Sequence, residues 1–127
     1  MKLLKMSQTK KSSELKEHKL PLNSFIAGWY IDPKICDDLI TLFKSKKEHQ
    51  KPGVIGGPYS VRKHQKDSID LGLHQNFTDE VFVKYTKQLK EIIGLYQNKY
   101  PEVQQLNKFG MIEGANIQYY PPGAGYF

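Results

Sequence analysis

Two amphipathic segments with clear start signals constrain the fold more than any other feature of the chain. In "YIDPKICDDLITLFK", Asp32 can cap the free amides of a helix, and Pro33 suits the first helical position. The second segment begins at Thr78, has acidic residues at its positive end and is stopped by Pro101. We therefore predict one helix over about 33–47 and another between Thr78 and Pro101, each packing one face on a neighbouring layer. The apolar residues at helical spacing are Ile35, Cys36, Leu39, Ile40 and Phe43 in the first, and Phe82, Tyr85, Leu89, Ile92, Ile93 and Tyr96 in the second.

Segments with β-strand character surround these helices. "LPLNSFIAGWYID" predicts a strand from Phe25 to Ile31, and the Gly- and Pro-rich region 51–73 contains short β-like pieces around 59–62 and 68–71. "FGMIEGANIQYY" predicts a last strand. Because side chains alternate along a strand, one of its faces carries Asn116, Gln118 and Tyr120, and the other carries Ile117 and Tyr119. This order of elements predicts an α+β fold.

Composition limits the class of protein. The 127 residues suffice for one modest core, so we expect a single domain over 21–127. A hydrophobic fraction of 39% with 8 Tyr, 6 Phe and 1 Trp argues against a disordered chain, and no apolar run approaches the ~18 residues of a membrane span. Cys36 is the sole cysteine and is predicted to be a small core residue. Together these features predict a soluble, cytoplasmic protein.

The net charge of +6 lies mostly at the amino end. Residues 1–20 hold six lysines against two glutamates, and we interpret them as a flexible basic tail. The remaining residues are nearly balanced in charge, which disfavours a nucleic-acid partner. A nucleic-acid binder that acts through the tail stays as an alternative, and its affinity would fall steeply with salt.

No self-contained catalytic motif or metal site is predicted from the residues themselves. The four histidines are scattered, and the pair His64 and Asp67 would point to opposite faces of a strand. "GVIGGPY" is rich in glycine but lacks the Lys-Ser/Thr of a phosphate-binding loop, which favours a turn-rich connection.

The closing stretch "QYYPPGAGYF" combines a polar-faced strand that ends in tyrosine, a proline and glycine turn, and two aromatics. This arrangement resembles the entry to the double-stranded β-helix of the iron(II) and 2-oxoglutarate-dependent oxygenases, most closely the prolyl 4-hydroxylase-like branch. The order of the rest of the chain agrees, so the resemblance spans about residues 22–127, although its specific part is the last ten. It implies two supporting helices and the first strands of an incomplete jelly-roll or cupin-like barrel.

The resemblance also implies a chemistry. In this family a His-x-Asp motif and a later His hold Fe(II), which with 2-oxoglutarate, and with ascorbate as an auxiliary, hydroxylates a protein side chain such as proline or a small molecule. In relatives these ligands come after the position that matches Phe127. The chain is therefore expected to be the amino-terminal part of such a dioxygenase, with no catalytic or metal-ligating residue of its own. We expect it to be inactive alone and to bind neither Fe(II) nor 2-oxoglutarate by itself.

Six residues are assigned candidate roles through the resemblance. Tyr120 matches the strand-end tyrosine whose hydroxyl, in relatives, hydrogen-bonds the distal carboxylate of 2-oxoglutarate; Gln118 and Asn116 share its face and would line the same pocket. The residues that would lie near the substrate entrance are Arg62, Lys66 and Tyr126. The competing interpretations are a barrel-filling aromatic for Tyr120, water-facing polar residues for Gln118 and Asn116, and exposed surface charge for Arg62 and Lys66.

A second interpretation of the whole chain is a complete small α+β binding or structural module whose Gly-aromatic terminus is a docked tail. Such a module predicts cooperative unfolding. The oxygenase interpretation instead predicts poor cooperativity and exposed apolar surface, because an unfinished sheet leaves an unpaired edge.

Overall fold

The computed structural model describes residues 15–57, 59–74, 78–105, 109–111 and 113–127. Most of the predicted basic tail therefore lies outside the described residues. The strands are β1 (Glu17–His18), β2 (Gly28–Trp29), β3 (Lys51–Pro52), β4 (Ile69–Leu73) and β5 (Ala115–Tyr119). The described α-helices are α1 (Pro33–Ser45) and α2 (Glu80–Lys99), and short 3-10 helices cover Leu22–Ser24, Lys47–His49 and Pro101–Gln105.

Both helices form where the capping signals predict them. The Asp32 side chain accepts a hydrogen bond from the Lys34 amide at 2.9 Å, and Asp79, one residue after the predicted start, accepts from the Val81 amide at 3.0 Å. In the first turn of α2, the hydrogen bond and charge of Lys84 hold the pKa of the Glu80 carboxyl below its usual value. The predicted helices are confirmed, with α1 ending two residues early at Ser45.

The strands form two small antiparallel sheets. β1 pairs with β2, while β3, β4 and β5 form a sheet in that order. The described residues thus have a mixed α+β fold and include no closed barrel. The predicted strand from Phe25 to Ile31 is wrong outside Gly28–Trp29, because Phe25 has a φ of 54°, in the left-handed region, and ends a 3-10 turn.

The region 51–73 follows the prediction in part. The β-like piece at 68–71 is β4, which extends to Leu73. The piece at 59–62 is not a strand: Tyr59 has a φ of 48°, and Ser60 makes only an isolated bridge to Ile55. A backbone at positive φ departs from the extended conformation that a ladder needs.

The core lies between one face of the three-stranded sheet and the two helices. Leu71 and Leu73 of β4 are each 2% exposed and cluster with Leu42 of α1 and Phe82 of α2. Leu39, Phe43, Tyr85, Ala115 and Ile117 pack around this cluster. The helices therefore cover one side of the sheet and leave its other side to the remaining chain.

The predicted burial of Cys36 is wrong. Cys36 is exposed, and Ile40, on the same side of α1, is 52% exposed. The buried stripe of α1 instead includes Leu42 with Ile35, which places Cys36 and Ile40 at its margin, facing away from the sheet.

Candidate functional site

The side of the sheet that faces away from the helices carries polar residues from two adjacent strands. The register pairs Asp70 with Gln118 and Gly72 with Asn116. Because side chains alternate along each strand, these four residues share one face, while Leu71 and Leu73 point to the core. We call Asp70, Gly72, Asn116 and Gln118 the polar face.

A buried ion pair occupies one end of the polar face. Lys66 Nζ lies 2.9 Å from Asp70 Oδ2, and the two side chains are only 7% and 15% exposed. Ser68 Oγ donates a 2.7 Å hydrogen bond to the other carboxylate oxygen of Asp70. Both charges are thus compensated inside the fold. The interpretation of Lys66 as exposed surface charge is wrong.

Gly53 supplies the space that this ion pair occupies. Its amide donates to the Ser68 carbonyl at 2.9 Å. A Cβ at position 53 would lie 2.1 Å from Ser68 Oγ and 3.0 Å from Lys66 Cε. Only glycine therefore lets the segment that follows β3 approach the two side chains without displacing them.

Gly53→Ala is expected to lower the free energy of unfolding by about 1–3 kcal/mol, since the added methyl must push Ser68 or Lys66 aside. Gly57→Ala is the matched control in the same region, because nothing lies within 4 Å of its added Cβ. Urea midpoints of the two variants measure the difference. Equal midpoints would contradict the close packing at Gly53.

Hydrogen bonds extend from the ion pair towards the end of β5. Gln118 Nε2 donates to Asp70 Oδ2 at 3.5 Å, and the Tyr120 hydroxyl donates to Gln118 Oε1 at 3.2 Å. The structure thus brings Tyr120 and Gln118 together and links them to Lys66 through Asp70. Asn116 is not part of this chain of contacts and lies instead beside Gly72.

The Gly-aromatic stretch after β5 folds back onto residues 65–67. The Asp67 amide donates to the Gly125 carbonyl at 2.9 Å, and the Phe127 amide donates to the Gln65 carbonyl at 2.7 Å. Tyr126 forms an antiparallel bridge with Lys66, although Tyr126 is 68% exposed. This pairing fixes the backbone at Lys66, whose side chain is buried and reaches Asp70.

Arg62 does not join the polar cluster through its side chain. It is exposed, and its carbonyl accepts hydrogen bonds from the Gln65 and Lys66 amides at 2.9 Å. The Arg62 carbonyl therefore stabilises the turn that leads into Lys66.

The described residues do not provide an iron site. Within them, no group of three or more His, Cys, Asp or Glu side chains could hold a metal ion. The described residues therefore do not fit a resident Fe(II). The described part of the chain also has no helix with the length and apolar character to cross a membrane.

Sequence reasoning missed the two residues at the centre of the cluster, Asp70 and Ser68. A signal for Asp70 was present, because it interrupts the apolar run "IDLGL" and stands four residues after a lysine. Tyr126, which forms the backbone bridge with Lys66, is sixty residues away from it, and this pairing leaves no local trace in the sequence.

Comparisons of the chain with protein-family models, curated proteins and solved structures found no match. The likeness to a family therefore depends on the residues quoted above.

Proposed function

We propose that this chain provides the 2-oxoglutarate-binding strand and the supporting helices of an Fe(II)/2-oxoglutarate-dependent oxygenase of the prolyl 4-hydroxylase-like type. The position of Tyr120 supports this most. Tyr120 directly follows β5, and its hydroxyl is hydrogen-bonded to Gln118 of the polar face, which is where a strand-end tyrosine that binds a carboxylate would lie. The substrate in this proposal is a protein side chain, including proline, or a small molecule.

The arrangement of the sheet also supports the proposal. β5 is the outer strand of the order β3-β4-β5, and among the described residues no strand pairs with its other edge. An open edge beside a polar, hydrogen-bonded face is where a further strand of a barrel would add. That strand would bring its own side chains next to Gln118 and Tyr120.

Among the described residues linked by hydrogen bonds at the end of β5, Tyr120 is the one whose hydroxyl would bind the cosubstrate carboxylate. Its hydroxyl now donates to Gln118, so a carboxylate would replace the Gln118 amide oxygen as acceptor. Lys66 is already neutralised by Asp70 and is not free to pair with it. We therefore expect this chain alone to bind 2-oxoglutarate and Fe(II) at most weakly, and tight stoichiometric Fe(II) binding in a titration would contradict this.

The docked Gly-aromatic stretch supports a second candidate, the complete small binding or structural module. Its backbone hydrogen bonds to Gln65 and Asp67 are those of a segment that folds onto its own domain. Urea unfolding separates the two candidates. A single cooperative transition favours the module, whereas a broad transition with exposed apolar surface favours the oxygenase part.

The nucleic acid that encodes the chain provides a direct test of the oxygenase proposal. We expect codons for His-x-Asp within a few residues after Phe127, since in relatives this motif follows the glycine turn. A stop codon at that point would contradict the proposal.

A further inference from the structure

A cleft lies over Gly72, at the end of the polar face that carries Asn116. A Cβ added at Gly72 would lie 3.6 Å from His74 Nε2 and 3.6 Å from Asn116 Oδ1. Two polar side chains thus converge above a position that has no side chain. Glycine inside a strand often marks a place where a ligand approaches the backbone closely.

Basic side chains surround this cleft, which has a volume of about 520 Å³ and is lined by Lys46, His49, Lys51 and His74. Neither Lys46 nor Lys51 forms an ion pair with a described residue, whereas the His49 imidazole lies 3.4 Å from Glu48.

The local charge of the cleft is therefore positive. Asp70 is the one carboxylate among the described residues that line it, and its charge is already compensated by Lys66. Two lysine charges remain without a described counter-charge, in a concave surface whose walls raise the local potential.

Part of the wall is apolar. Pro52 and Val54 line the cleft beside Lys51, and Val54 is 37% exposed. A ligand that fills the cleft would place an anionic group near the lysines and His74, and a short apolar part against Pro52 and Val54. Asn116 could donate its amide to the same ligand.

We propose that the cleft over Gly72 binds the carboxylate or phosphate group of the substrate, so that the substrate is an acid with a short apolar body. The identification of this ligand as a substrate rests on the proposed oxygenase function, whereas the binding of an anion rests only on the residues of the cleft. Asn116 then belongs to the substrate cleft, and Tyr120 with Gln118 to the cosubstrate.

The test is an NMR titration of the isotope-labelled chain at constant ionic strength. The probes are inorganic phosphate, benzoate as an acid with an apolar body, and 2-oxoglutarate. We expect saturable shifts of the Lys51, Gly72 and His74 amides with phosphate and benzoate. Non-saturating shifts, or shifts spread over lysines outside the cleft, would overturn the proposal, as would shifts centred on Tyr120 with 2-oxoglutarate alone.

Two variants test the site while the fold is kept. Lys51→Gln is expected to weaken phosphate binding about threefold, as the loss of one partly exposed charge contact does. Gly72→Ala places a methyl group at ordinary van der Waals distance from its neighbours, so the chain folds but the floor of the cleft is filled and binding falls further. Lys87→Gln, on the exposed surface of α2, is the control and leaves binding unchanged. Unchanged binding in both cleft variants would overturn the inference.

Different results would contradict the anion site and the oxygenase function. Saturable anion binding by a chain whose encoding sequence lacks His-x-Asp would leave the cleft as an anion site and remove the assignment of its ligand as an oxygenase substrate. Oxygenase turnover by a protein without saturable anion binding at Gly72 would overturn this inference and leave the proposed function intact.

Discussion

Asp70→Asn is expected to lower the free energy of unfolding of the three-stranded sheet by about 3–5 kcal/mol. The substitution keeps the size of the side chain and a hydrogen-bonding partner for Ser68, but it leaves the ammonium of Lys66 buried without a counter-charge. Removing one member of a buried ion pair costs far more than the pair contributes, because the remaining charge stays out of water. Exchange rates of the Leu71 and Leu73 amides measure this loss locally, whether or not the whole chain unfolds cooperatively.

The exposed pair Lys34–Asp38 provides a matched control. It has the same i, i+4 spacing and a shorter separation of 2.7 Å, but its lysine is 75% exposed. Asp38→Asn is expected to cost about 0.5 kcal/mol or less, since solvent screens the pair.

A second variant separates charge from packing. If Asp70→Asn destabilises the sheet because the Lys66 ammonium is left without a counter-charge, adding Lys66→Met to Asp70→Asn should restore most of the exchange protection of the Leu71 and Leu73 amides. Equal losses in the Asp70 and Asp38 variants, or no recovery with Lys66→Met, would contradict the account of a buried pair.

The helices could be predicted from the sequence because the interactions that start and stop them are local. Asp32 and Asp79 cap amides two residues ahead, and Pro101 follows the end of α2. Burial on each helix was less predictable. Whether Cys36 or Leu42 faces the sheet depends on how α1 is rotated against β4, and spacing alone does not determine that rotation.

The polar face was predictable in part. Alternation correctly separates Gln118 from Ile117, but it says nothing about the opposing strand, so Asp70 was missed. The backbone of Lys66 is bridged by Tyr126, and its side chain packs where Gly53 has no side chain. Neither neighbour lies in the same segment as Lys66, so a local pattern along the chain does not reveal them.

In a protein that carries the proposed His-x-Asp motif after Phe127, Tyr120→Phe is expected to raise the KM for 2-oxoglutarate about 10- to 100-fold. The loss of one hydrogen bond to a charged group, worth about 1.5–3 kcal/mol, gives this range. In the structure the same change removes only an exposed 3.2 Å hydrogen bond to Gln118, so stability should change little.

Tyr119 is the matched control, because it is the neighbouring tyrosine on the opposite face. Its ring lies 6.0 Å from that of Phe43, on the helix side of the sheet. Tyr119→Phe is therefore expected to leave the KM for 2-oxoglutarate unchanged. A rise of similar size in both variants would show that the effect comes from the strand as a whole and not from the Tyr120 hydroxyl.

The decisive measurement is succinate formation from 2-oxoglutarate by that protein, with Fe(II) and ascorbate added. We expect Fe(II)-dependent succinate formation whose KM for 2-oxoglutarate rises with Tyr120→Phe and not with Tyr119→Phe. The absence of Fe(II)-dependent succinate formation, or a KM that is indifferent to the Tyr120 hydroxyl, would contradict the oxygenase proposal.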